Sequence, residues 1–155
     1  MKVFNIRVYG ILMDENKRVL VADEKIRGSL ITKFVGGGLE FGEGTRDCLQ
    51  REFMEEMGLR VSIGDHLYTT DFFQVSAFNP SHQIISIYYH VEALEPIRAP
   101  LRENPFDFDE RELDMYERTG ECETFRFIEW ENFSDATMSL PIDKVVALRL
   151  RQMLS

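Results

Sequence analysis

The run GGGLEFGEGTRDCLQREFMEEMGL, Gly36 to Leu59, constrains the fold more than any other part of the chain. Three consecutive glycines let the backbone turn sharply or approach another group closely. Thr45 stands where a helix cap is expected, Asp47 falls in the first turn, and Gly58 sits where a left-handed cap would end the helix. Between these marks Leu49, Phe53 and Met57 recur every four residues, a stripe that belongs against a core. Glu52, Glu55 and Glu56 lie within about a quarter turn of one another on the adjoining side. Like charges at that spacing repel, and carboxylates at the margin of a buried stripe are costly when unpaired. A hard divalent cation such as Mg2+ or Mn2+ is the economical explanation, since those ions prefer oxygen ligands. Such an ion would shield a polyphosphate from an acidic protein and acidify a bound water. Glu43 and Arg51 complete the set, because a guanidinium can hold a carboxylate by a bidentate pair while the loop folds back on the helix.

Strand patterns surround this segment. VFNIRVYGIL at 3–12 alternates, KRVLVAD at 17–23 follows a turn-forming DEN, and the two together read as a hairpin. ITKFV at 31–35 is a further strand, as are 59–65, 67–75, QIISIYYHVEAL at 83–94 and ETFRFIEW at 123–130. A second helix runs from Pro141 through Ile142, Val145, Val146, Leu148 and Leu150 to Met153. Strands and helices in this order predict an α+β fold or a mixed α/β sandwich, in which helices pack on a mixed sheet. GGGLEFG fits neither the GxGxxG of dinucleotide binding nor a P-loop. Phe72, Phe73, Tyr88 and Tyr89 read as core rather than as base-stacking residues. His66, His82 and His90 lack ligand spacing and are given no role.

A chain of 155 residues with 44% hydrophobic content suits one domain spanning 1–155. The net charge of −9 argues against a broad nucleic-acid-binding surface, which needs clustered Lys and Arg. An anionic substrate then requires local basic groups. Between Glu103 and Glu123 nine acids face only Arg111 and Arg118, so that segment carries −7 of the −9. It reads as an acidic loop or insertion at about 96–122, either a lid or a solvated connection. No membrane span or signal peptide is evident, and the cytoplasm is the expected compartment. Cys48 and Cys122, far apart and outside any CxxC or Cys/His cluster, read as reduced, partly buried thiols.

Read from Gly37, the segment resembles the Nudix box, G x5 E x7 R E U x E E x G U, at Gly37, Glu43, Arg51, Glu52, Glu55, Glu56, Gly58 and Leu59. Phe53 replaces the usual aliphatic residue at the first U, and Gly36 stands where many members carry proline. The plain alternative, a solvated acidic helix face, accounts for EFMEE but not for the complete spacing. The resemblance to the Nudix hydrolase family implies an α/β/α sandwich and Mg2+-dependent cleavage of a nucleoside diphosphate linked to another moiety: a nucleotide sugar, ADP-ribose, a dinucleoside polyphosphate or a (d)NTP. It implies Glu55 and Glu56 as metal ligands, and Glu52 as a further ligand or the base that orients water. The Gly37 carbonyl would complete the metal shell, with Arg51 and Glu43 holding the architecture. A small-molecule partner is expected, nucleic acid is not, and a homodimer is compatible with the family. A non-catalytic domain that senses a nucleotide or binds a protein is the competing reading.

Overall fold

VFNIRVYGIL forms strand β1, Val3–Leu12, in the computed structural model, which describes residues 1–154. Both edges of β1 are occupied: β4, Val35–Gly38, runs antiparallel to it, and β6, His82–Ala93, runs parallel to it. The fourth strand, β5, Val61–Thr69, pairs with β6, giving the order β4-β1-β6-β5 in a mixed sheet. Helix α1, Thr45–Met57, presents Leu49, Phe53 and Met57 as buried residues. A Cβ added at Gly10 of β1 would lie 2.6 Å from Val91 Cγ2 and 2.8 Å from the Phe53 ring, so this strand has no side chain where the helix packs. Gly58 ends the helix in the left-handed conformation and donates to the Met54 carbonyl. These elements, from Met1–Leu12 and Val35–Arg98, make one compact unit.

The second unit comprises Met13–Phe34 and the chain from Ala99 onward. Strands β2, Arg18–Ile26, and β3, Ser29–Lys33, form a hairpin around Arg27 and Gly28. Both turn residues have positive φ, the geometry that matches the twist of two antiparallel strands. Strand β8, Glu121–Glu129, pairs with the other edge of β2, and the short β7, Leu101–Arg102, lies parallel to β8. Asp23 of β2 is fully buried yet accepts from Arg126, from the Thr32 hydroxyl and from the Phe106 amide. Helix α2, Glu110–Thr119, precedes β8, and α3, Pro141–Leu154, closes the described chain. Among the described residues no helix is long and apolar enough to cross a membrane.

An α+β architecture with mixed strand pairing is what the element order predicted, but several local expectations fail. The hairpin between the first two strands does not form. β1 is flanked by β4 and β6, β2 by β3 and β8, and only a Met13–Val19 bridge precedes the divergence. ITKFV splits at Phe34, where β3 of one sheet gives way to β4 of the other. The strands expected at 59–65 and 67–75 are one strand with two register shifts, after which residues 70–75 leave the ladder except for a Val75–Gln83 bridge. Tyr88 and Tyr89 are buried as expected, whereas Phe72 and Phe73 are exposed at 38% and 73%. Gly44 rather than Thr45 caps α1: its amide donates to Asp47, and the Thr45 hydroxyl meets Tyr89 Oη at 2.6 Å.

Within the acidic segment, Glu110–Thr119 form a helix where a loop was expected. Asp109 and Glu112 cap its N-terminus reciprocally at 2.9 and 2.8 Å, a D-x-x-E capping box. Arg102 reaches both carboxylates, Arg118 pairs with Asp114, and Gly120 ends the helix with φ 86°.

Gly10→Ala should destabilise the protein by about 1–3 kcal/mol through overpacking, more than the roughly 0.4–1 kcal/mol that a stiffer unfolded chain returns. Urea unfolding at neutral pH measures the difference, and an unchanged or raised midpoint would contradict the proposed Gly10–Phe53–Val91 packing.

Candidate active site

The site is assembled where β4 passes into α1. A Cβ at Gly36 would collide with the Val8 carbonyl and with Tyr9, and one at Gly37 would lie 2.6–2.7 Å from all three carboxylate atoms of Glu52. The glycine pair therefore lets a helix carboxylate touch the strand backbone. Glu52 is nearly buried, as its place beside Leu49 and Phe53 on the stripe requires.

Arg51 is the hub. Its Nε and Nη2 donate to Glu43 Oε2 and Oε1 at 3.0 and 2.6 Å, a fork-to-fork pair that ties the loop after β4 to the helix. Nη2 also reaches the Gly38 carbonyl at 3.1 Å, and Nη1 donates to Glu52 Oε1 at 3.0 Å and Glu55 Oε2 at 3.2 Å. Glu43 in turn accepts from the Glu40 amide at 2.9 Å, so the loop closes on itself. The hydrogen bond from Arg51, followed by the Glu40 amide, holds the Glu43 carboxyl down at about 2. Arg51 is raised above its ordinary range, first by its bond to Glu43. The Cys48 thiol lies in the same cluster, donating to the Gly38 carbonyl at 3.5 Å. Burial and the neighbouring Glu43 push it up to about 12, so it is a neutral packing group.

All the residues singled out in the sequence lie in this region, but they are not equivalent. Glu43, Glu52 and Glu55 converge on one guanidinium. Glu56 follows on the same turn, half-buried, with Oε2 shielded from solvent. Glu55 is open to solvent, its side chain 59% exposed, whereas that of Glu52 is 12% exposed. Among the described residues no group of three acidic, cysteine or histidine side chains stands close enough to clasp an ion, while Arg51 Nη1 occupies Glu52 and Glu55. The donor set nevertheless fits a hard divalent cation: it is all carboxylate and carbonyl oxygen, and it already gathers around a positive charge supplied by the chain.

Arg7 of β1 belongs to the site's surroundings although the sequence reading gave it no role. It is the register partner of Gly38, its Nη1 lies 3.7 Å from where a Gly38 Cβ would be, and its Nε donates to Tyr9 Oη at 2.6 Å. An arginine in an alternating strand looks like an ordinary outward charge. Its neighbourhood depends on which strand pairs with β1, and local sequence does not encode that.

A family model for the NUDIX domain matches residues 3–147. Similar solved structures include the solution structure of the E. coli ORF135 protein, 16% identical, with TM-score 0.68 over 99% of this chain and 91% of that one. A NUDIX hydrolase from Nitrosomonas europaea is 15% identical, with TM-score 0.68 over 97% of this chain and 90% of its own. The MutT protein from Methanosarcina mazei Go1 is 14% identical, with TM-score 0.67 over 99% and 98%. At such identities the likeness is one of fold.

The depressed Glu43 carboxyl yields a pH prediction. Because its folded value, about 2, lies below the ordinary 4.5, its ion pair contributes stability fully above about 4.5 and loses it as pH falls toward 2. Glu43→Gln should therefore melt lower than wild type at pH 7, with the gap narrowing below pH 4.5. Scanning melting temperature against pH for both proteins tests this, and a gap that widens on acidification would refute it.

Proposed function

The chain belongs to the NUDIX domain family, and from that premise we propose that it hydrolyses the pyrophosphate bond of a nucleoside diphosphate linked to another moiety. The substrate would be a nucleotide sugar, ADP-ribose, a dinucleoside polyphosphate or a (d)NTP, and the ion Mg2+, with Mn2+ able to replace it. The observation that carries this reading is the convergence of Glu43, Glu52 and Glu55 on a single cationic group, Arg51. A site built of oxygen donors around a positive charge suits a divalent ion and the phosphates that accompany it.

Glu52, Glu55 and Glu56 would hold the ion together with the Gly37 carbonyl. When bound, the ion acidifies water and stabilises charge on the departing phosphate. Glu43 keeps Nε and Nη2 of Arg51, so the loop stays fixed while Nη1 gives up Glu52 and Glu55. Glu52, pressed against the Gly37 backbone, either completes the ligand set or orients the attacking water and accepts its proton. The water oxygen forms a bond to one phosphorus of the bridge, the bridging P–O bond breaks, and two phosphate-bearing products leave.

Incubation with Mg2+ and a panel of these four substrate classes tests the reading. Glu56→Gln should lower kcat by about 100-fold or more, the scale of several kcal/mol of transition-state stabilisation. Gly37→Ala, whose Cβ would displace the Glu52 carboxylate, should lower activity while leaving a folded protein. Nucleotide binding with no product from wild type would instead favour the non-catalytic, nucleotide-sensing role.

A further inference from the structure

The sheet face that α1 covers runs on past the helix. Gly10 and Gly37, whose missing side chains make room for Phe53 and Glu52, mark where α1 lies against it, and Val8 is the register partner of Gly37. Residues two apart along β1 share that face, and their exposure rises away from the helix: Val8 is fully buried, Ile6 is 38% exposed and Phe4 67%. In β6, Ile85 pairs with Ile6 and Gln83 with Phe4, and the exposed Val75 bridges to Gln83. Phe73, 73% exposed, belongs to a bulge opposite Ile85. Hydrogen bonds from the Thr70 amide to the Ser86 carbonyl and from the Ile84 amide to the Gln74 carbonyl bracket that bulge. None of the positions Phe4, Ile6, Phe73, Val75, Gln83 and Ile85 is charged, although 29% of the chain is.

We propose that this face is the contact between two copies of the chain, packed sheet against sheet about a twofold axis. It stands whether or not the chain cleaves a pyrophosphate. Area decides the occupant. At roughly 200 Å2 for a phenylalanine, Phe4 and Phe73 leave about 280 Å2 in water, and Ile6, Val75 and the half-buried Ile85 bring the patch to roughly 400 Å2. Scattered single apolar residues need no explanation, whereas a contiguous patch of that size commonly serves binding. A stable interface removes on the order of 800 Å2 from each partner, somewhat over half of it apolar. The patch supplies that apolar share and leaves a polar rim to supply the rest. A single nucleobase or sugar would leave most of it wet. A basic partner, which a chain of net charge −9 would attract, finds no charge here to bind. A copy of the same face fits, because sheets pack face to face with their side chains interdigitated and a twofold contact needs only one surface.

Sedimentation equilibrium of the full chain from about 1 to 100 μM, at low and at high salt, tests this. Wild type should dimerise with a micromolar or tighter dissociation constant, as interfaces of this size do. The association should hold or tighten as salt rises, because screening relieves the repulsion between two copies of net charge −9. Phe4→Asp, which sets an unpaired charge in the apolar patch, should weaken it by about 30-fold or more. Its melting temperature, measured where both proteins are monomeric, should match wild type, since Phe4 is exposed in the single chain. Leu94→Asp, at an exposed residue just past the other end of β6, should leave the dimer unchanged. A wild type that stays monomeric throughout the range overturns the proposal. So does a dimer that salt dissolves, or one that Leu94→Asp breaks and Phe4→Asp leaves intact. Should Phe4→Asp fail to fold, Phe73→Asp takes its place, and a dimer of wild-type affinity in that variant overturns the proposal equally.

Discussion

Repulsion among carboxylates on one helical turn is the constraint around which the site is organised, and Arg51 resolves it. Without a cation, Glu52 and Glu55 on α1 would raise the energy of the helix that carries them, with Glu43 close by on the loop. The guanidinium meets Glu43 with Nε and Nη2 and both Glu52 and Glu55 with Nη1, which a lysine, a point charge, could not do with the same directional fork. It also divides its work. The Glu43 side is bidentate and closes the loop, whereas the Glu52 and Glu55 side is a pair of single contacts from Nη1. That asymmetry makes the Glu43 contact the more firmly held of the two.

The glycines of β4 are the backbone counterpart of that arrangement. Gly37 has Glu52 where its side chain would be, Gly36 has the Val8 carbonyl, and Gly38 faces Arg7. A side chain at Gly36 or Gly37 would fill space that a backbone or charged group already occupies, whereas one at Gly38 would meet Arg7 in ordinary contact. Gly10 works the same way one strand inward, where it admits Phe53 to the sheet. α1 is thereby seated by the aromatic residue that departs from the aliphatic habit of the motif. The helix is fixed by packing, and its glutamates are fixed because the helix is.

What could be read from the sequence was what is local. The stripe of Leu49, Phe53 and Met57 has one period and one solution, so α1, its buried face and its glycine stop were all legible. The β-branched run at 83–94 gave β6 almost to the residue. Pairing was not legible, because a turn-forming DEN between two alternating runs looks the same whether the second strand returns to the first or joins another sheet. Phe73 was misjudged because a short aromatic run carries strand propensity whether or not a ladder is there to receive it. The start of α2 is written in the sequence, since Asp109 and Glu112 stand at capping-box spacing, but a run so dense in charge has the composition of a solvated connection as well. Arg7 owes its place to a cross-strand register with Gly38, which no window of adjacent residues contains.

Net charge is therefore a poor guide to what such a chain can bind. Exposed charges act over about 8–10 Å at physiological salt, so an anion responds to the groups beside it rather than to the sum. Part of the acidic excess is also answered within α2 and its neighbours. Arg102 takes Asp109 and Glu112, and Arg118 takes Asp114. The glutamates of α1 differ in being gathered on a guanidinium at the margin of a buried stripe, next to a strand stripped of side chains. Acidity in the two helices thus has different surroundings: in α2 it is a capped and partly paired surface, and in α1 it is gathered on one guanidinium beside the glycines of β4.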